Sequence, residues 1–292
     1  MIKTINKAFE LLRDNIILIQ PLIFYLLILG FVSRPIAFDG TYTHASIFAL
    51  IVSVLFTAAF LAGWFYIVKL AISMKNEVYE TPEEKNLAAL SLLKQFFTGV
   101  GEYFVPVLFG FLILAGAFIG FVFLAYKAGV HYIGSLELTP ELVKALNSGS
   151  YKAISDIVNA PESYQSLKTL SYWGFYITGL SVIFSFLTMF YAPAILYDTR
   201  NPFKAILLNF KFLFLNFFGS LILILFLTFL NTLVSIFNLL SSMNIIFAII
   251  SLLLMFLYMS YYVMLVFLYY EEKTKDNCDS GSECVGEIES GN

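Results

Sequence analysis

The chain has 292 residues, of which 60% are hydrophobic and 13% are charged, with a formal net charge of −3 at pH 7. Soluble globular proteins carry about 45–50% apolar and about 25% charged residues, so this composition predicts an integral membrane protein. The acidic balance excludes the basic surface that nucleic-acid binding requires, and no nucleic-acid partner is expected. Only two cysteines occur, Cys278 and Cys284, so no disulfide framework is expected.

Six uncharged apolar runs follow one another along the chain, each long enough to cross a bilayer as a helix. The last two come from the stretch Phe212–Tyr270, which lacks Asp, Glu, Lys and Arg and as one helix would be roughly 88 Å long. It must therefore fold back once, most simply between Asn238 and Asn244. The runs are continuous, which excludes a strand barrel and predicts an all-α polytopic membrane protein. The predicted spans lie at about 16–33, 45–68, 103–126, 170–197, 217–238 and 245–270.

A short amphipathic segment precedes each pair of spans, and this order of elements indicates a threefold repeat. Thr81-Pro82 and Asn201-Pro202 are typical helix starts, because a capping side chain precedes a proline at the first helical position. We predict cytoplasmic-side amphipathic helices at 2–14, 82–100 and 202–215. The first and third share Phe, Leu and Asn at matching offsets, namely Phe9, Leu12 and Asn15 and then Phe210, Leu213 and Asn216.

The third amphipathic segment separates apolar from basic residues. Phe203 and Phe210 belong to its apolar stripe, and Lys204 and Lys211 lie opposite. Amphipathic helices of this kind lie in the headgroup layer, with the stripe against acyl chains and the lysines near anionic lipid. We therefore predict that these four residues contact the membrane surface. The alternative is a helix that serves only to turn the chain.

The remaining segments are an outer loop and a tail. The loop, 128–168, separates the third span from the fourth and is too short for an enzyme domain. The tail, 271–292, is acidic, contains Gly and Ser and has almost no apolar residues, so it is predicted to be disordered.

Orientation follows from the positions of Lys and Arg. When the six spans are laid end to end, twelve of the seventeen fall on the side of the two termini. The other side receives Arg34, Lys127, Lys144, Lys152 and Lys168. Both termini are therefore expected in the cytoplasm, with the protein in the plasma membrane.

Sequence motifs of metalloproteases, α/β-hydrolases and phosphate-binding loops are absent. No catalytic residue and no cofactor are therefore expected. His44 and His131, together with the two tail cysteines, supply too few ligands at suitable spacing for a metal site, so none is expected.

Four polar residues within the last two spans are candidate site residues: Thr228 and Asn231 in the fifth, and Tyr258 and Tyr262 in the sixth. They are predicted to face each other across the hairpin, because a polar side chain in lipid favours a hydrogen-bonding partner. Two interpretations stay open. The residues form a contact between the two helices, or they line a polar cavity.

Two pairs of small residues at four-residue spacing are predicted to mark close helix contacts. They are Ala59 with Gly63, and Gly116 with Gly120. The physical reason is that small side chains let neighbouring helix backbones approach closely.

A resemblance is carried by segments at the fourth span, at the third amphipathic helix and its entry into the fifth span, and at the end of the sixth span. They read Ala192-Pro193-Ala194-Ile195-Leu196-Tyr197-Asp198, Asn201-Pro202-Phe203-Lys204-Ala205, Leu215-Asn216-Phe217 and Leu268-Tyr269-Tyr270-Glu271. This order resembles bacterial and archaeal six-helix proteins similar to the membrane domain that accompanies some glycerophosphodiester phosphodiesterases. The resemblance implies a six-helix membrane fold over nearly the whole chain. It carries over no catalytic domain and no catalytic residue.

These features predict a non-enzymatic integral membrane protein that organises lipid or a partner protein at the cytoplasmic face. The expected partners are membrane lipids, with a membrane or cytoplasmic protein as a further partner. The alternative is a transport component, either an exporter of a lipidic or apolar solute or a permease-like subunit without its own ATPase. The absence of charged residues at mid-span weighs against ion coupling.

Overall fold

The structure is a computed structural model that describes residues 1–32, 44–74, 81–135, 164–240 and 244–279. Within these ranges the chain forms helices and no strand. A 3₁₀ turn, Ile16–Leu18, joins the first two helices. The helices are α1 (Ile2–Asp14), α2 (Ile19–Val32), α3 (His44–Ser73), α4 (Pro82–Lys94), α5 (Phe96–Ile133), α6 (Tyr164–Thr188), α7 (Tyr191–Tyr197), α8 (Pro202–Leu215), α9 (Phe217–Leu240) and α10 (Ile245–Asp279).

Five stretches of the described chain are long and apolar enough to cross a membrane. They are His44–Ser73, Leu87–Ile133, Lys168–Tyr197, Phe217–Leu240 and Ile245–Asp276. A sixth is obtained when Ile2–Asp14 and Ile16–Val32, which meet at an angle of 79°, are counted as one span. The prediction of an all-α polytopic protein is confirmed at this level.

The residues form two compact units. The larger comprises Met1–Ile113 with Phe186–Asn292, and the smaller comprises Leu114–Ser185. In the smaller unit, Trp173 donates a hydrogen bond from Nε1 to the Gly134 carbonyl oxygen at 3.2 Å. Gly134 has a φ of +102°, a left-handed conformation that favours glycine and ends α5.

The core of the larger unit is aromatic. Phe190, which precedes α7, lies 4.6 Å from Phe212 of α8 between ring centroids, and Phe212 lies 4.3 Å from Tyr270 of α10. All three side chains are fully buried. Elsewhere in this unit, Trp64 of α3 donates a hydrogen bond from Nε1 to the Leu18 carbonyl oxygen at 3.0 Å, which ties α3 to the turn before α2.

Helix α1 packs on α10 in the same unit. Tyr261 donates a hydrogen bond from its hydroxyl to the Ile5 carbonyl oxygen at 3.2 Å. Thr4 and Lys7 donate from their side chains to the Glu272 carboxylate at 3.0 and 2.8 Å. These contacts join the two ends of the chain.

The end of α10 differs from the predicted disordered tail, 271–292. The helix continues to Asp279. Its last turns are stabilised by the contact of Glu272 with α1 and by an ion pair of 2.5 Å between Lys275 and Glu271, one helical turn apart. The rest of the predicted tail, residues 280–292, lies outside the described ranges.

Two predicted helix starts are observed at their caps. The Thr81 hydroxyl accepts a hydrogen bond from the Glu84 backbone N–H at 3.2 Å. The Asn201 side chain accepts from the N–H groups of Phe203 and Lys204 at 3.0 and 3.2 Å. The segment predicted as one amphipathic helix, 82–100, is divided, because α4 ends at Lys94 and the long helix α5 begins at Phe96. Of the predicted outer loop, residues 136–163 lie outside the described ranges.

Candidate functional site

A groove of about 770 Å³ lies between α1, α9 and α10 in the larger unit. Ligand pockets in proteins typically enclose about 300–1,000 Å³, so the groove is large enough for a small molecule or part of a lipid. Its lining residues are Ile5, Asn6, Phe9, Glu10, Leu12 and Arg13 from α1, Phe226, Leu230, Leu233, Val234 and Phe237 from α9, and Leu254, Leu257, Tyr258 and Tyr261 from α10.

The α9 and α10 walls of the groove are apolar. The two tyrosines in these walls direct their hydroxyls to backbone carbonyls. Tyr258 donates to the Leu227 oxygen at 3.2 Å, and Tyr261 donates to the Ile5 oxygen at 3.2 Å. Because both hydroxyls are engaged in this way, the tyrosines contribute mainly ring surface to the groove, which suits an apolar ligand.

The polar edge of the groove comes from α1 alone. Asn6, Glu10 and Arg13 line it, and all three side chains are exposed. Their spacing of four and then three residues places them along one side of the helix. The Arg13 Nε atom also lies 3.6 Å from a carboxylate oxygen of Asp14. The groove thus combines an apolar depth with a charged edge.

The position of α1 depends on Asn15. Its backbone N–H and its side-chain amide both donate to the Leu11 carbonyl oxygen, at 2.9 and 3.0 Å, which closes the last turn of the helix. The chain then bends by 79° into the segment Ile16–Val32. Asn15 therefore ends α1 before the bend, and the bend allows α1 to lie across the α9–α10 hairpin.

The four polar residues predicted for the last two spans are not gathered at this groove. Tyr258 lines it. The Tyr262 ring lies 6.2 Å from the Tyr258 ring between centroids, but Tyr262 is outside the lining set. Thr228 is half-buried and Asn231 is exposed, and neither lines the groove. The choice between a helix contact and a cavity lining for these three residues stays open.

The predicted membrane-surface residues lie on α8 and do not line the groove. Phe203, Lys204 and Lys211 are exposed, and Phe210 is half-buried. This exposure is compatible with a surface contact, which stays a prediction.

Sequence reasoning did not assign a site role to Asn6, Glu10 or Arg13. The amphipathic helix predicted at 2–14 has these residues on its polar face, but the sequence pattern does not indicate what that face borders. The one sequence feature that could have indicated the site is the helical spacing of these three polar side chains on a side of α1 that also carries Phe9.

A second polar cluster lies in the larger unit, where α3, α7 and α10 meet. Lys69 donates a hydrogen bond to the Leu196 carbonyl oxygen at 2.5 Å and lies 5.0 Å from the Tyr197 ring centroid. The Tyr270 hydroxyl donates to the Asp198 carboxylate. Burial raises the pKa of Asp198 to about 6, against the opposing influence of the Tyr270 hydrogen bond and the Lys69 charge. Lys69 and Tyr270 each have an acceptor within the cluster, and these two hydrogen bonds tie α3, α7 and α10 together.

Among the residues that the structure describes, no group of three His, Cys, Asp or Glu side chains is close enough to hold a metal ion. His44 begins α3 in the larger unit, and His131 lies near the end of α5 in the smaller one.

No family model matches the chain, and no curated protein and no solved structure shows a significant match to it. The resemblance to the membrane domain of glycerophosphodiester phosphodiesterases stays a prediction. Function is therefore inferred from the groove itself.

Proposed function

We propose that the protein is a non-enzymatic integral membrane protein that binds a membrane lipid at its cytoplasmic face, in the groove between α1 and the α9–α10 hairpin. The observation that supports this proposal is the division of the groove into apolar walls and a polar edge. A lipid has the same division. Its acyl chains would pack against α9 and α10, and its headgroup would meet Asn6, Glu10 and Arg13.

The length of the groove also favours a lipid. Along α9 it extends from Phe226 to Phe237. At about 1.5 Å per residue this distance is about 17 Å, which is roughly half of a hydrocarbon core of about 30 Å. The groove is therefore long enough to hold part of an acyl chain.

We place α1 in the cytoplasmic headgroup layer of the plasma membrane. Twelve of the seventeen Lys and Arg fall on the side of the termini, and the 79° bend after α1 is the angle expected of a helix that leaves the membrane plane to become a span. An impermeant maleimide should label Cys278 and Cys284 only after the membrane is permeabilised. Labelling in intact cells would reverse this orientation.

Helix α8 supplies a second contact with the same membrane surface in this proposal. Phe203 is 68% exposed, and Lys204 and Lys211 are exposed on the same helix. Exposed aromatic and basic side chains on one amphipathic helix favour insertion at the boundary of acyl chains and headgroups. This contact would anchor the surface of the protein and would not select the bound lipid.

The test is native mass spectrometry of the full chain purified in mild detergent. We expect a retained lipid adduct in the wild-type protein. The substitution Leu230→Trp fills the groove and should lower adduct occupancy about tenfold, which corresponds to a loss of about 1.4 kcal/mol in binding. Phe229→Trp is the matched control, because Phe229 is the neighbouring residue on α9, is exposed and does not line the groove.

Two results would contradict the proposal. Absence of any lipid adduct in the wild-type protein, with a second protein bound in its place, would favour a role in organising a protein partner. Equal adduct occupancy in Leu230→Trp and Phe229→Trp would place lipid binding elsewhere on the protein.

A further inference from the structure

The polar edge of the groove contains one acidic and one basic side chain in adjacent positions. Glu10 and Arg13 are three residues apart on α1, so their side chains are neighbours on the helix surface. Asn6 lies one turn before Glu10 and extends the same edge. A headgroup that meets this edge therefore encounters a negative and a positive group within one helical turn.

Each charge selects a different part of a headgroup. The Arg13 guanidinium fits a phosphate, because two of its N–H donors match two phosphate oxygens. Its contact with Asp14 is made through Nε, and the two Nη groups carry the remaining four N–H donors. The Glu10 carboxylate accepts hydrogen bonds, so it favours an ammonium group that still carries hydrogens over a quaternary ammonium, which has none.

We propose that the groove selects a zwitterionic phospholipid whose headgroup bears a phosphate and a primary ammonium group. The phosphate would bind Arg13 and the ammonium would bind Glu10. This inference rests on the proposed lipid-binding function and deepens it by naming the headgroup. A choline headgroup would meet Arg13 but would donate no hydrogen bond to Glu10. A glycerol headgroup with a single phosphate carries no ammonium group that could bind Glu10.

The experiment is a competition followed by native mass spectrometry. The full-length protein in detergent is mixed with equal amounts of phosphatidylethanolamine, phosphatidylcholine and phosphatidylglycerol that carry identical acyl chains. We expect phosphatidylethanolamine adducts to exceed each of the others about fivefold, the ratio that a charge-assisted hydrogen bond worth about 1 kcal/mol produces. Glu10→Gln should bring the three occupancies close to equality, and Arg13→Gln should lower all three.

Matched controls lie outside the groove. Glu83→Gln removes an exposed acidic group from the first turn of α4, and Lys3→Gln removes an exposed basic group from α1. Neither residue lines the groove, so both variants should keep the wild-type preference. Folding of each variant is checked by its elution volume and charge-state distribution.

The outcomes separate the two proposals. No adduct of any lipid would overturn the proposed function and this inference together. Adducts of equal occupancy for the three headgroups would overturn the headgroup selection and leave lipid binding intact. An unchanged preference in Glu10→Gln would overturn the role of Glu10.

Discussion

Helices α1 and α8 end in the same way although they lie in different parts of the sequence. Each is followed by an asparagine, Asn15 or Asn216, with backbone angles of −120° and 40° or −116° and 31°. In both, the backbone N–H and the side-chain amide donate to the carbonyl oxygen four residues earlier, that of Leu11 or Phe212. The corresponding residue after α4, Gln95, has angles of −74° and −8° and continues the helical conformation.

The two helices also bury the same positions. Counted back from the asparagines, the third, fourth, seventh and eleventh residues are buried, and the buried residues are Thr4, Ala8, Leu11 and Leu12 in α1 and Ala205, Asn209, Phe212 and Leu213 in α8. A shared pattern of burial means that both helices dock on the protein through the same side.

The difference lies on the side that faces away from the core. The positions that match Asn6, Glu10 and Arg13 of α1 are Leu207, Lys211 and Phe214 in α8. Leu207 and Phe214 are more than 70% exposed. The two helices therefore dock through the same side but differ on the opposite side. There α1 presents a charged edge to the groove, and α8 presents apolar side chains at the surface.

The largest expected effect compares Phe212 with Leu11, the matched buried residues. Phe212→Ala removes a fully buried ring that packs between Phe190 and Tyr270 and should lower the free energy of unfolding by about 4 kcal/mol. Leu11→Ala, at the smaller buried site, should cost about 2 kcal/mol. The measurement is unfolding in a denaturing detergent, followed by tryptophan fluorescence. Phe214→Ala, 72% exposed, is the control. Equal losses at Phe212 and Leu11 would contradict the comparison.

The second prediction concerns Asn209, which occupies the position of Ala8. Its side chain is 2% exposed, accepts a hydrogen bond from the Phe190 N–H at 3.0 Å and donates one to the Leu187 carbonyl oxygen at 2.7 Å. Asn209 thus bridges the break between α6 and α7. Asn209→Ala leaves the buried Phe190 N–H and the Leu187 carbonyl oxygen without these partners and should cost about 3 kcal/mol.

The control for Asn209 is an exposed residue of the same helix. Leu207→Ala in α8 should change the free energy of unfolding by less than about 0.5 kcal/mol, because its side chain is 71% exposed. A similar loss in both variants would show that the bridge across the break between α6 and α7 does not stabilise the larger unit.

The third prediction uses the carboxylates beside the two helices. Glu272 accepts hydrogen bonds from Thr4 and Lys7 of α1, whereas Asp198 accepts one from Tyr270, which packs on Phe212 of α8. Burial raises the pKa of Asp198 from 3.8 to about 6. Between these values the native protein holds a proton that the unfolded chain releases, so stability falls as the pH rises from about 4 to about 6 and is then constant.

The size of this pH effect is about 2 kcal/mol, from a shift of about two pKa units at about 1.4 kcal/mol each, reduced for partial solvation. The measurement compares unfolding of the wild-type protein at pH 4 and pH 7 with that of Asp198→Asn. The asparagine keeps an oxygen that accepts the Tyr270 hydrogen bond but does not titrate. If the variant shows the same pH dependence as the wild-type protein, Asp198 is not its source.

The features predictable from sequence are those that depend on local patterns. The caps at Thr81 and Asn201 follow from residue type and the next proline, and the helices follow from long apolar runs.

Pairs of small residues are a less reliable indication of close helix contacts. An added Cβ at Gly63 would approach the Phe96 ring to 2.8 Å, as expected for a close contact. Among the described residues nothing lies within 4 Å of such an atom at Gly116 or Gly120.

The groove was beyond sequence reasoning because it depends on a contact between the ends of the chain. Ile5 meets Tyr261, and Lys7 meets Glu272, more than 250 residues apart. Amphipathic periodicity assigns residues to a face of α1 but does not specify which helix that face covers. Tyr258 is recognisable from sequence as a polar residue within a span, but the sequence does not specify that α1 packs beside it.

The smallest expected effect tests whether the two asparagines are equivalent. Asn15→Ala and Asn216→Ala each remove one hydrogen bond from a side-chain amide, of 3.0 and 3.1 Å, and leave the backbone N–H bond in place. Each variant should therefore lose about 1 kcal/mol of unfolding free energy. Leu215→Ala, which removes an exposed side chain beside Asn216, is the control and should lose less.

The same two variants should differ in lipid binding. Asn15 sets the end of the helix that carries Glu10 and Arg13, whereas Asn216 ends a helix that does not line the groove. Loss of the Asn15 amide should loosen the last turn of α1, where Arg13 lies, and lower lipid occupancy by native mass spectrometry, while Asn216→Ala leaves occupancy unchanged. Equal stability losses with unequal lipid occupancy would show that both asparagines stabilise a helix end and that only Asn15 also supports the groove. Equal occupancy would mean that the groove does not depend on how α1 ends.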